Sequence, residues 1–244
     1  MPVSPVDWGL AERVAVRVSG HEPLAASYHY DRLAEDFAEV TAQAEELVAA
    51  ATGLRSASGA ARARVVDRAD WVRANLASFG RLLRPLTDKM ADRIGDKRGL
   101  AAMPAAVSRR AAGVEVGTLL GWMATRVLGQ YDLLVIEDED PDDQDLVYYV
   151  GPNVLALEKR YAFPPHEFRL WLALHEVTHR AQFTGVPWLR PHFLSLVERT
   201  LDAVDPDPKR FIDALGRVVD DLRSGQNPLD EGGVATLLAS PDQR

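Results

Sequence analysis

The chain has 244 residues, a formal charge of −8 from 28 Lys and Arg against 36 Asp and Glu, and no cysteine. At 47% hydrophobic residues it is globular and not disordered, and the missing cysteines exclude disulfides, thiolate metal sites and thiol nucleophiles. An acidic balance shows no basic nucleic-acid face, Met1 to Gly20 lacks the apolar run of a leader, and no long uncharged apolar stretch could span a bilayer, so the expectation is a cytoplasmic protein that binds neither nucleic acid nor membrane.

Leu33, Phe37, Val40, Ala44 and Leu47 recur three or four residues apart, which predicts an amphipathic helix from Asp31 to Ala51, ended by Gly53. Ser56 to Arg64 is small and polar and reads as a loop, and Val65 and Val66 suit a short strand. Asp70 stands where a cap would open a second helix through Trp71, Leu76, Phe79 and Leu82. Asp92 to Pro104 reads as a surface loop, and Val114 to Leu128 as a third helix. In that helix Gly117 and Gly121 lie four residues apart and invite another backbone to approach. Glu115 and Arg126 argue for packing inside the protein and against a membrane dimer.

Leu133 to Ile136 and Leu146 to Val150 flank a run of acids from Glu137 to Asp145, which carries most of the net charge. They are predicted to form a β-hairpin with a solvated acidic tip, the run lacking the glycine and closing glutamate of a calcium loop. Pro164–Pro165 opens a helix through Phe183, Pro191 a second to about Leu201, and Lys209 to Arg223 makes a last one. The sum is a mainly α chain with a small β-hairpin or sheet. It divides into a helical part, 31–128, and a part made of the hairpin and its following helices, 129–223.

The chemistry concentrates in His175-Glu176-Val177-Thr178-His179. On a helix, positions four apart stack on one face, so both histidines can reach one zinc ion. Glu176 then projects beside the metal, where it can serve as the general base toward an activated water. Arg180 departs from the uncharged residue usual after such a motif. The metzincin pattern is excluded, because Gln182 and Gly185 stand where it needs glycine and histidine. Glu198, nineteen residues beyond His179, is the candidate third ligand by the gluzincin spacing, and Asp202, one turn later, could hold a ligating histidine by a hydrogen bond. Tyr131 is a weaker candidate for an oxyanion donor, beside Tyr148 and Tyr149. The Leu146–Val150 strand could offer a sheet edge to an extended peptide or protein substrate.

Val66 to Asn75, Val127 to Asp132, Gly151-Pro152-Asn153 and above all Leu174 to Arg190 resemble a family of zincin-like metallopeptidases. Its members are found largely in actinobacteria and are often assigned as hydrolases associated with deazaflavin-coenzyme biosynthesis. The resemblance implies one zincin-like domain over 1–244 with zinc at His175 and His179 and Glu176 as base. Family members usually continue into a helix with a Glu-Gly-His segment able to supply a third ligand. This chain stops at Arg244, so either Glu198 completes the site or the chain is a shortened form. The expected function is a zinc metallopeptidase. The alternative is a catalytically inactive zincin-like helical protein that binds metal or a partner.

Overall fold

The computed structural model describes residues 4–22, 24, 26–82, 105–133 and 145–203. The expected loop at 92–104, the Ile136 end of the first hairpin strand, the acids before Asp145 and the helix at 209–223 lie outside these residues. The described elements are α1 (Trp8–Ser19), α2 (Tyr28–Asp31), α3 (Leu33–Thr52), β1 (Arg62–Val66), α4 (Arg68–Leu82), α5 (Ala105–Ala124), β2 (Gly129–Tyr131), β3 (Leu146–Val150), α6 (Gly151–Tyr161), α7 (Pro165–Gly185) and α8 (Leu189–Ala203). The mainly helical expectation holds. Two compact units share these elements, one made of 1–19, 72–123 and 196–244, the other of 20–71 and 124–195.

In the first unit α1 and α5 meet through the glycines singled out in the sequence. A Cβ on Gly117 would stand 2.4 Å from the Ala11 carbonyl oxygen, and one on Gly121 would stand 2.5 Å from that of Ala15. The spacing therefore serves helix packing within the protein. α1 itself went unrecognised in the sequence, because its apolar residues are mostly small alanines and valines.

The second unit is a three-stranded sheet packed with helices. Its strand order is β1-β3-β2, with β1 parallel and β2 antiparallel to β3. The hairpin exists, but its first strand is Gly129–Tyr131 and begins before the expected Leu133. β3 is central and paired on both sides, so it offers no free edge, and the expected edge role of Leu146–Val150 is corrected. Burial on both faces explains why all five of its residues are buried.

The core joins Leu33, Phe37, Val40, Ala44 and Val48 of α3 to Val147 and Tyr149 of β3, and to Leu172, Ala173, Val177 and Ala181 of α7. The alanines on α3 and α7 let the helices approach. Phe37 stacks on Tyr149 at 3.9 Å between centroids, and the Tyr149 hydroxyl and Thr41 Oγ1 share a hydrogen bond of 2.8 Å. α3 begins at Leu33 and not at Asp31, which ends α2, but its C-terminal end obeys the sequence, with Gly53 in the left-handed conformation at φ 73°. α4 opens differently from expectation: Asp67 Oδ1 accepts the Asp70 N–H at 2.7 Å, so Asp67 is the cap and Asp70 a first-turn residue. α6 has no counterpart among the helices expected from the sequence; its Pro152 stands in the first turn, where proline suits a helix.

Gly121→Ala would force a methyl into the Ala15 carbonyl and the Val18 side chain. It should cost about 1–3 kcal/mol, as overpacking does. Thermal unfolding should show a lower Tm with an unchanged far-UV spectrum.

Candidate functional site

α7 carries one apolar stripe and one polar stripe. Leu172, Ala173, Val177 and Ala181 are buried, and this turns positions 171, 175 and 179 to the solvent. His175 and His179 are both exposed, and their Nε2 atoms approach to 3.3 Å. Two nitrogens bound at about 2.0–2.1 Å to one tetrahedral zinc stand about 3.3–3.4 Å apart. The pair therefore fits a shared metal position, in donor type and in spacing.

Glu176 lies on the buried face of α7, next to His179 around the helix. It is 6% exposed, and its Oε2 accepts the Tyr131 backbone N–H at 3.1 Å. Burial raises its pKa above the ordinary carboxylate range, against the opposing pull of that N–H and of His179. Desolvation of this kind makes a carboxylate a better proton acceptor near neutral pH. Gly129 makes the space: a Cβ there would lie 2.8 Å from Glu176 Cγ and 2.9 Å from Oε1. Sequence reasoning had no role for Gly129, although it stands in one of the family-like stretches.

The expected tyrosine donors are otherwise engaged. Burial, with Asp145 beside it, pushes the Tyr131 pKa far up, and its hydroxyl bonds that carboxylate. Tyr131 meets Glu176 through its backbone. The Tyr149 hydroxyl is bonded to Thr41, and Tyr148 is buried in the sheet.

Arg180, the residue that departed from the usual motif, is 1% exposed. Its Nε and Nη2 donate to Asp145 at 2.6–3.1 Å, Nη1 donates to Glu45 at 2.8 Å, and Nη2 also donates to the Gly59 carbonyl at 2.9 Å. The departure is thus structural, a clasp from α7 to α3, to the loop before β1 and to the start of β3. Asp145, the last acid of the run, is a half-buried partner in that clasp and not part of a solvated tip.

Glu198 is exposed on α8, and Asp202 lies near the end of that helix. Among the described residues no group of three or more His, Asp or Glu is placed to hold a metal ion. None of the described helices is long and apolar enough to cross a membrane.

The family model of the zincin-like metallopeptidases matches residues 6–244. The chain belongs to that family. It is also similar to a solved structure from Chloroflexus aurantiacus entitled a "putative hydrolase with a novel fold", with 31% identity and a TM-score of 0.64 over 90% of this chain and 67% of that one. No curated protein matches the chain.

In this zincin-like chain the stretches that carried the resemblance are hydrogen-bonded to one another. Arg68 Nε donates to Asn153 Oδ1 at 2.7 Å, and Trp71 Nε1 donates to Gln130 Oε1 at 2.8 Å. Asn153 Nδ2 in turn donates to the carbonyls of Ala124 and Val127 at 2.7 and 2.6 Å. These bonds fix the approach to β2, and β2 carries both Gly129 and the N–H that orients Glu176.

Arg180→Met would leave the Asp145 and Glu45 carboxylates without their shared cation. The loss expected is on the order of 3 kcal/mol, because an unpaired, partly buried charge remains. It should appear as a lower urea midpoint with an unchanged m value.

Proposed function

We propose that the chain is a zinc-dependent hydrolase, most simply a metallopeptidase. The observation that carries this reading is the approach of the His175 and His179 Nε2 atoms to 3.3 Å, beside a buried Glu176. These two histidines would hold the ion. Glu198 is the proposed third ligand on its spacing from His179 in the sequence alone, and Asp202 the proposed hydrogen-bond support for a ligating histidine. Bound zinc supplies Lewis acidity, which polarises a substrate carbonyl and acidifies water.

The chain's own groups do the rest. Glu176 takes a proton from the attacking water and returns it to the leaving amine, and desolvation raises its basicity for that task. The Tyr131 N–H holds Oε2, which orients the carboxylate and leaves Oε1 to handle the proton. Gly129 keeps the carboxylate's place open. The second reading, a zincin-like protein without catalysis that binds metal or a partner, draws on the described residues, among which no three His, Asp or Glu are grouped to hold a metal.

Metal analysis and hydrolysis of fluorogenic peptides separate the two. Wild type and Glu176→Gln should each hold one zinc per chain, with hydrolysis lower by about a hundredfold or more in the variant. His179→Ala should lose both metal and activity, and Glu198→Gln should weaken zinc binding. Equal hydrolysis by Glu176→Gln would remove the base assignment. Full zinc without turnover in wild type would select the non-catalytic reading.

Gly129→Ala tests the positioning separately. The added methyl displaces Glu176, so turnover should fall by about tenfold to a hundredfold while zinc content stays constant.

A further inference from the structure

A row of aromatic rings leads along the surface to the histidine pair. From Tyr161 to Phe163, Phe168 and Trp171 the successive ring centroids are 5.5, 4.9 and 6.0 Å apart, and Trp171 lies 6.2 Å from the His175 ring. Tyr161 is 54%, Phe163 39% and Trp171 57% exposed. Neither the apolar stripe of α7 nor the core of its unit uses the outer face of Trp171. A contiguous apolar surface held in water beside a polar site marks a place where something binds.

We propose that this row is the substrate subsite on one side of the cleaved bond, with Trp171 receiving an apolar or aromatic side chain of a peptide. The inference rests on the hydrolase reading. A bond cleaved at the histidine pair must lie over the outer stripe of α7. Consecutive Cα atoms are about 3.8 Å apart, so the residue next to that bond reaches a ring 6.2 Å from His175. Charge decides the occupant. The outward stripe of α7 continues one turn back from Trp171 to the exposed carboxylate of Glu167, while Glu176 and Arg180 are buried. Arg160, 5.2 Å over the Tyr161 ring, stands at the far end of the row. An acidic side chain beside the cleaved bond would thus meet the like charge of Glu167, whereas an aromatic one gains a stacking face.

The test uses two labelled pentapeptides, Ala-Ala-Phe-Ala-Ala and Ala-Ala-Asp-Ala-Ala. Binding is followed by fluorescence anisotropy on zinc-loaded Glu176→Gln protein, and hydrolysis by liquid chromatography on wild type. The Phe peptide should bind at least tenfold more tightly. Adding Trp171→Ala should abolish that preference without weakening the Asp peptide, and Trp171→Phe should restore most of it. A preference that survives Trp171→Ala, an equal loss for both peptides, or no preference at the outset would overturn the subsite. Hydrolysis without preference would remove the subsite and keep the proposed reaction. Preference in binding with no hydrolysis by wild type would keep the ring row as a peptide site and remove the reaction.

Discussion

The seating of α7 against α3 and β3 is the constraint on which the rest of the candidate site depends. Ala173, Val177 and Ala181 spend one stripe of the helix on the core, so the stripe bearing Trp171, His175 and His179 must face outward. The rotation of one helix about its axis thereby sets which groups meet solvent. It also sends Glu176 and Arg180, which lie between Leu172 and Ala173 around the buried face, into the fold. Rotating α7 by one position would bury an imidazole and expose a valine, and the apolar contacts with α3 oppose that.

Two polar anchors lock the same seating. Arg180 ties α7 to Glu45 on α3 and to Asp145 at the entry of β3, and Glu176 ties it to β2 through the Tyr131 N–H. A buried guanidinium with carboxylates on two elements is costly to misplace, because any slip leaves a charge without a partner. Behind β2, Asn153 bridges Arg68 and the carbonyls of Ala124 and Val127. The family-like stretches far apart in the chain are therefore one hydrogen-bonded frame around the carboxylate.

The acidic charge also changes meaning once the fold is known. Asp145 belongs to the Arg180 clasp, so the run of acids ends in a structural residue. On the outer stripe the exposed rings of Tyr161, Phe163 and Trp171 approach the histidines from the α6 side. Their exposure has no role in the core, and this separates them from the stacked Phe37–Tyr149 pair inside it.

Much was legible from residue order alone, wherever the physics is local. Periodicity placed α3, with its C-cap at Gly53, and α7, because a helix buries every third or fourth residue whatever it packs against. The four-residue spacing of His175 and His179 put two imidazoles on one face for the same reason. Other features depended on partners distant in sequence. β3 looked like an exposed edge until β1, some eighty residues earlier, paired with its other side. Arg180 looked like a flaw in the motif until Glu45 and Asp145 closed around it, and Gly129 carried no signal until Glu176 filled the space beside it. Local spacing is written in the chain, whereas the neutralisation of a buried charge and the room for a buried carboxylate exist only once separate segments have met.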